Sequence, residues 1–495
     1  MGIKNGVVYT PIEIVDKILD LSKYKGKSIL KKHVIDNSCG TGAFLSRIVS
    51  RYIDAFLKNN TKLNINEIKK HLETYIHGIE IDETSCQIAN ENLNKILIEK
   101  SLNISVNWNI INNNALYFKK FNNKMDFVLG NPPYIRIHDF DPKFRHKEFD
   151  FAKKGMADLY LVFFEVGIKM LNENGILGYI TPNSFLSSSS GNNLREYLIK
   201  NNLIDTILNY GFYNPFKQIT TYPMITILNK NKRNKTVIVE DYLNDLKFSI
   251  KNNDFFINKC FYFYRENDLN FLNEVFDAKK KDCGINVRNG LATNADWFYY
   301  NDDFKGKYII DAYKASKNKK TKLFYPYNEN GKLISLKEIK ENNEHIYKKL
   351  INNKEALEER SLEDTNNWHA FARSQAIKDV FIDKVSINTI IKSIDTIKLN
   401  KINSGDAIYS GLYIYSSNNE ISLDDIIFAI KNEEFIRYIS LLGKNKNGNY
   451  YFISSKDLKN YLNYKFSYLE YNKIKEVSDE SKFTRKEFIK QDQRS

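Results

Sequence analysis

The chain has 495 residues, 42% of them hydrophobic and 14% aromatic, which is too long for one ordinary core and points to two or three domains. Lysine plus arginine exceed aspartate plus glutamate by 74 to 60, a formal net charge of +14, and that balance favours a polyanionic partner. The four cysteines, Cys39, Cys86, Cys260 and Cys283, form no CxxC pair, which argues against a zinc knuckle or a disulfide framework. No segment reads as a signal peptide or a membrane span, so a soluble, cytoplasmic protein without a metal site is expected.

In chain order, Ile12, Val15, Ile18 and Leu19 recur at helical spacing after Thr10-Pro11 and predict an amphipathic helix over 12–21. "HVIDNSCGTGAFLSRIVSRYIDAFL" reads as a short strand ending near Asp36, a glycine turn and a helix. A charged, asparagine-rich stretch leads to a second strand, "YIHGIEID", and the helix "ETSCQIANENLNKIL". Third and fourth strands are expected in "VNWNIINNNAL" and "MDFVLGNPPY". Strands alternating with helices predict a parallel sheet whose ligands lie at the carboxyl ends of its strands.

The alternation continues through the helix "DLYLVFFEVGIKML", the strand "GILGYITP", the helix around "NNLREYLIKNN" and the strand "LIDTILNYG". "YPMITILN" and "TVIVEDYL" flank "KNKRNK" and predict a hairpin with a basic tip. Beyond about residue 245 the alternation dissolves. A catalytic domain over 1–245 and a second domain over 246–495 are expected, with "SGDAIYSGLYIYS" as a strand pair in the latter and a charged helix or frayed tail from "KIKEVSDESKF" onward.

Gly40 and Gly42 in the first turn let backbone approach a ligand where a side chain would block it. The spacing is neither GxGxxG nor a GK[ST] phosphate loop, so a pyrophosphate is not the obvious ligand. Glu80, at the end of the second strand, can accept hydrogen bonds from both hydroxyls of a ribose. Together they suggest a nucleoside without phosphates. Cys39 has no histidine beside it in the motif, and a packing role is expected. After the fourth strand, Asn131-Pro132-Pro133-Tyr134 ends the ladder in a stiff, extended turn, because proline removes the donor and fixes φ.

"YTP" (9–11), "DNSCGTGAF" (36–44), "GIEID" (78–82), "NNAL" (113–116), "NPPY" (131–134), "DLYLVFF" (158–164) and "GYITPNSFL" (178–186) stand in the order seen in one family. Over about the first 245 residues the chain resembles the class I S-adenosylmethionine-dependent DNA methyltransferases that act on the amino group of adenine, in their gamma arrangement. The resemblance implies an α/β fold, a Rossmann-like seven-stranded methyltransferase sheet, followed by a C-terminal mixed α/β target-recognition domain. It implies S-adenosylmethionine as cofactor. Thr10 and the turn carrying Asp36, Ser38, Gly40 and Gly42 would hold its methionine moiety, Glu80 its ribose and Ile81 its adenine ring. Asn114 and Ala115 would line the base. The family often has an aspartate at the position of Asn114, and an amide oxygen can also accept that bond.

Adenine's exocyclic amine is a poor nucleophile because its lone pair is delocalised. Asn131, through its side-chain oxygen, and Pro132, through its carbonyl, would accept both amine hydrogens at the edge of the cofactor site and turn the lone pair toward the methyl sulfonium. A base inside a duplex must be flipped out to reach such a pocket. Tyr134 would stack on one face of it, and Phe216 is the candidate for the opposing edge, with Phe212 and Tyr213 as competitors. The segment "IRIHDFDPKFRHKEFDFAKKG" is too polar for core, and Arg136, Arg145 and Lys147 make it a candidate loop over DNA. "INVRNGLATNADWFYY" looks like the start of the recognition domain, with Arg288 and Asn289 as candidate base or backbone contacts.

The expected partner is therefore double-stranded DNA, and the expected enzyme a monomeric, stand-alone modification methylase that could be paired with a separate restriction endonuclease. Methyltransferases acting on a protein glutamine or on an RNA base could use the same NPPY geometry. A non-enzymatic scaffold would be expected to carry a damaged NPPY.

Overall fold

The computed structural model describes residues 10–59, 64–140, 144, 146–153, 157–216, 222–231, 235–278, 282–446 and 449–467. The chain divides after Leu269 into two compact units.

In the first unit α1 (Ile12–Leu21) buries Ile14, Val15, Ile18 and Leu19; three of the four expected residues lie on this face, but Ile12 is 50% exposed and Ile14 packs in its place. Then follow β1 (Val34–Asp36), α2 (Ala43–Asn59), α3 (Ile65–Tyr75), β2 (Ile76–Glu80), α4 (Glu83–Glu99), β3 (Asn109–Asn112), β4 (Met125–Gly130), α5 (Ile137–Phe140), α6 (Leu159–Met170), β5 (Leu171–Pro182), α7 (Asn192–Lys200), β6 (Ile204–Asn209), β7 (Pro223–Asn229), β8 (Thr236–Asp241) and β9 (Leu246–Lys251). The nine strands form one sheet in the order β3-β2-β1-β4-β5-β7-β6-β8-β9. Its first seven follow the expected methyltransferase arrangement, with β7 antiparallel to both neighbours. β8 and β9 extend it further. α6 is mostly apolar, and almost every residue in it is buried, Glu165 included, which pairs with Lys169 at 2.6 Å. A Cβ on its Gly167 would stand 2.7 Å from Leu177 Cδ1, so glycine allows the helix to lie close on β5.

Several expectations are corrected here. β7 and β8 are not a hairpin, because β6 lies between them, antiparallel to β7 and parallel to β8. Six of the seven residues of β7 are buried, as suits a central strand paired on both edges. Position 245 falls in the turn between β8 and β9, both of which belong to the large sheet, so the catalytic unit runs further than expected. α3 occupies part of the stretch read as a charged connection, with Asn64 capping it by accepting from Glu67 N. The segment after NPPY is partly packed: Ile137, Phe144, Phe149, Phe151 and Ala152 are buried. Its described aromatics carry it into the core, while Arg136, Lys147 and Lys153 stay exposed.

A short pair, β10 (Phe256–Ile257) with β11 (Cys260–Phe261), and α8 (Glu266–Ala278) follow. The second unit contains β12 (Ile285–Asn289), α9 (Asp296–Tyr299), β13 (Ile309–Lys314), β14 (Lys319–Phe324), α10 (Leu336–Asn342), α11 (Glu344–Asn352), α12 (Lys354–Glu358), β15 (Lys384–Ile387), β16 (Ile390–Ile391), β17 (Leu399–Ile402), β18 (Ala407–Tyr409), β19 (Leu412–Ser416), α13 (Leu423–Ile430), α14 (Glu433–Leu441), β20 (Asn445–Lys446) and β21 (Tyr450–Phe452). Three small sheets, β12-β19-β15-β17, β14-β13-β18 and β16-β21-β20, organise it. β18 and β19, the expected strand pair, join different sheets instead. Ser410 sits at φ +53, and a Cβ on Gly411 would collide with Ala315 Cβ, so the chain passes from one sheet to the other through a tight crossing. The expected tail from 473 onward lies outside the described residues. No helix among the described residues is long and apolar enough to cross a membrane.

Candidate active site

β1, β2 and β4 are parallel neighbours, so Asp36, Glu80 and Gly130 end on the same edge of the sheet. Asp36 is buried, and its Oδ1 accepts from Ser38 N at 3.0 Å. Burial pushes its carboxyl up to about 7; the Ser38 N–H opposes that rise and the nearby Glu80 charge adds to it. A Cβ on Gly130 would lie 2.7 Å from Asp36 Oδ1. Glycine is thus what lets this carboxyl sit against the strand end immediately before Asn131.

The turn after β1 holds Gly40 at φ +50 and Gly42 at φ +87, a left-handed region where side chains are strained. A Cβ on Gly42 would press on Ala89 Cβ at 3.2 Å, whereas the space beside Gly40 is open. The turn is braced by Glu80: Oε2 accepts from Gly40 N at 2.8 Å, and Oε1 accepts from Ile81 N at 2.9 Å and Asp82 N at 3.0 Å. Beside it Ile81 is 59% exposed, a large apolar side chain at the rim of an otherwise polar site. Asn114 Oδ1 accepts from Leu116 N at 3.0 Å, and Ala115 is buried. Cys39 is also buried, and burial raises its thiol well above the ordinary value, which fits packing rather than nucleophilic chemistry.

Asn131 is held at three points. Its Nδ2 donates to Thr10 Oγ1 at 3.0 Å, its backbone oxygen accepts from Ser38 Oγ at 3.4 Å, and the prolines that follow fix the chain's exit. Its Oδ1 is buried and has no hydrogen-bond partner among the described residues. Tyr134 donates its hydroxyl to Ile180 O at 3.1 Å, and its ring meets Phe216 edge-on at 6.3 Å and 85°. Of the three aromatics considered for that place, Phe216 reaches Tyr134; Tyr213 stacks on Tyr242 at 4.9 Å, and Phe212 is exposed.

Two bonds at this site have no legible signal in the sequence. Thr10, expected at the methionine moiety, holds the Asn131 amide. Asn37, buried behind the turn, accepts from Tyr179 Oη at 2.9 Å, which ties the first glycine motif to "GYITP". Arg136 and Lys147 are exposed; Arg145 lies outside the described residues. In the second unit Arg288 Nη1 is 2.8 Å from Asp379 Oδ2, and Asn289 is exposed at the end of β12.

The donor set suits a nucleoside with a charged amino-acid tail. The glycine turn offers open backbone, Glu80 a carboxylate hydrogen-bonded to that turn, Ile81 an apolar face and Asp36 an acid. Fold, motif order and these groups match the class I methyltransferase fold, whose cofactor is S-adenosylmethionine. Residues 36–216 carry an Eco57I restriction-modification methylase domain.

The chain is 32% identical over 248 residues to the Type II methyltransferase M.BstVI of Geobacillus stearothermophilus, covering 47% of this chain and 44% of that protein. It is 25% identical over 522 residues to the Type II restriction enzyme and methyltransferase RM.Eco57I of Escherichia coli, covering 82% of this chain and 52% of that protein. The chain therefore spans about half the length of these relatives. Among solved structures, the Type IIL restriction-modification enzyme MmeI in complex with DNA has a similar fold, with TM-score 0.61 and 16% identity over 90% of this chain and 63% of that one.

Proposed function

We propose that the protein transfers a methyl group from S-adenosylmethionine to the N6 amine of adenine in double-stranded DNA, with the target base flipped out of the helix. The observation that carries this reading is the unpartnered, buried Oδ1 of Asn131. A buried acceptor left unpaired costs about 1–3 kcal/mol. A substrate N–H at this point offsets that cost, and an amine presents one.

The cofactor supplies a methyl group on a sulfonium, which is electrophilic without further activation. The chain's own work is orientation. Asn131 Oδ1 and the carbonyl of Pro132 accept the two amine hydrogens, and Thr10 and Ser38 keep the Asn131 side chain and backbone from turning away. Tyr134, anchored on Ile180 O, offers a ring for the flipped base to stack on, and Phe216 buttresses that ring. Asp36, Ser38, Gly40, Gly42, Glu80, Ile81, Asn114 and Ala115 make up the cofactor side, with Thr10 and Asn131 at its edge facing the target base. The second unit is the target-recognition domain. In it Arg288, held by Asp379 and lying over the Tyr415 ring at 5.6 Å, is the foremost candidate for reading a base, with Asn289 beside it. Arg136 and Lys147 are candidates for backbone contacts.

The relatives' printed names support action within a restriction-modification system; a cytoplasmic monomer working with a separate endonuclease is part of the same proposal. The deciding experiment incubates the protein with labelled S-adenosylmethionine and unmethylated DNA, then digests the DNA to nucleosides. Label in N6-methyldeoxyadenosine supports the reading. Label in cytosine, or only in RNA or protein, overturns it. Asn131→Ala is expected to abolish turnover while keeping cofactor binding.

A further inference from the structure

The second unit holds a concentration of positive charge that the site above does not use. β13 and β14 form an antiparallel hairpin with six residue pairs. Its sequence, "IIDAYKASKNKKTKLF", has five lysines, Lys314, Lys317, Lys319, Lys320 and Lys322, and one acid, Asp311. Asp311 pairs with Lys320 at 2.7 Å and Lys322 at 2.6 Å, which accounts for the base of the hairpin.

The tip is different. Lys314 and Lys319 stand directly opposite each other across the ladder, and like charges in that relation are destabilising. Lys317 projects from the turn between them and is exposed. Lys398 brings a further ammonium to the same turn by donating to Ser316 O at 2.9 Å. The acid nearest the tip, Asp302, is 3.5 Å from Lys319, and both side chains are mostly exposed, so the pair is weak.

The stems are also ordered. The Lys314 ammonium lies 5.5 Å above the Tyr409 ring and that of Lys320 5.5 Å above Tyr313. Tyr313, Tyr413 and Tyr415 pack in one cluster with Ala315 at the hairpin's end. Tyr415 is the ring beneath Arg288, so the basic tip and the arginine fork are braced by the same packed cluster.

We infer that the β13–β14 tip, through Lys314, Lys317, Lys319 and Lys398, is a grip for the phosphate backbone of double-stranded DNA. This rests on the reading of the protein as a DNA enzyme. The self-repulsion of the tip is relieved when phosphates pair with its ammonium groups, which displace the cations condensed on the DNA. The grip fixes the duplex relative to Arg288 without selecting its sequence.

The test is duplex affinity across a salt series for the wild type, for the triple variant Lys314→Gln, Lys317→Gln, Lys319→Gln, and for a control that removes exposed charge elsewhere in the unit, Lys348→Gln with Lys354→Gln. Each phosphate that the protein no longer neutralises lowers the slope of log affinity against log salt by about 0.9. The triple variant is expected to lose between two and three units of slope on specific and unrelated duplexes alike, keep its preferred methylation site and bind S-adenosylhomocysteine as the wild type does. The control is expected to keep the wild-type slope. An unchanged slope in the triple variant, with a wild type that binds duplex, overturns the grip and leaves the methyltransferase reading standing. An equal loss in the control also overturns it, since net charge would then be the cause. A wild type with no duplex affinity removes the DNA reading and the grip with it. Thermal melting of the triple variant separates misfolding from a weakened hold on phosphate, and Lys317→Gln alone, at an exposed turn position, provides a second reading if the triple variant melts early.

Discussion

Thr10 Oγ1 and Asn131 Nδ2 lie 3.0 Å apart across 121 positions of sequence. This bond joins the residue that precedes the first helix to the turn that presents the substrate acceptor, and it holds the Asn131 side chain with Oδ1 left for another partner. Thr10→Val removes the acceptor and keeps the shape. Losing such a bond is worth about 1–3 kcal/mol, so turnover should fall about 5- to 100-fold, with cofactor affinity within about twofold of wild type. Thr10→Ser should restore most of the rate. Single-turnover kinetics measure this, and equal losses in the serine and valine variants would show that packing, not the hydroxyl, is what matters.

Glu80 carries three backbone N–H groups on one carboxylate. Glu80→Ala leaves the glycine turn unbraced and removes the ribose acceptor, so affinity for S-adenosylhomocysteine should fall at least about tenfold, equivalent to about 1.4 kcal/mol. Calorimetric titration would show it. Wild-type affinity in this variant would remove Glu80 from the cofactor site.

Acid lability should originate at the opposite ends of the strands. Asn109 Nδ2 lies 2.7 Å from His77 Nδ1, and His77 Nε2 lies 2.9 Å from His33 Nδ1. The amide can only donate, so His77 carries its proton on Nε2 and donates to His33, and both rings are neutral. Burial, with the neighbouring His33 and Lys120 adding to it, pushes His77 down to about 3. Burial lowers His33 as well, reinforced by Lys124 and opposed by the Asp126 carboxylate. Unfolded histidine protonates near about 6.5. Above that pH neither state takes the proton. Below it the unfolded chain takes a proton that folded His77 refuses until about 3, so stability falls with falling pH, by up to about 1.4 kcal/mol per pH unit for each such group. Urea midpoints at pH 7.5, 6 and 5 should decline, and His77→Gln, which can still accept from Asn109 and donate to His33, should flatten part of the decline. A wild-type midpoint that is level from 7.5 to 5 would contradict this.

Arg288 should act on sequence choice rather than on rate alone. Asp379 fixes one side of its guanidinium and also accepts from Tyr413 Oη at 2.5 Å, so the fork is ordered before DNA arrives. Arg288→Ala should relax discrimination at one base position, at a cost of about 1–3 kcal/mol for the preferred site. Arg288→Lys should not rescue it, because a point charge lacks the paired donors. Sequencing of methylated positions on a random library would reveal the relaxed position. Unaltered site choice with reduced stability would make Arg288 a structural ion pair.

The parts of the fold that sequence made legible are those set by local pattern. Val15, Ile18 and Leu19 announce α1, although Ile14 and not the expected Ile12 completes its buried face, and the strand–turn–helix around Gly40 and Gly42 and the proline stop after β4 place the site. What escaped depends on non-local pairing. β6 inserts between β7 and β8 because of tertiary packing, and "KNKRNK" mimics a hairpin tip equally well without it. α3 was hidden because only Ile68 and Leu72 of its apolar residues are buried in a charged stretch. At the site, residue types were readable and their bonds were not. Thr10 announces a polar contact, and only the folded chain shows that the contact is Asn131.

In the proposed reaction the unpartnered acceptor on Asn131 also has a consequence for turnover. An amine enters this turn with two N–H groups and, once methylated and relieved of its extra proton, leaves with one. Two acceptors fixed in place by prolines cannot both be filled by what remains, so the product is bound more weakly than the substrate by about one neutral hydrogen bond, about 0.5–1.5 kcal/mol. The same rigidity that makes the amine reactive thus ejects it when the reaction is done.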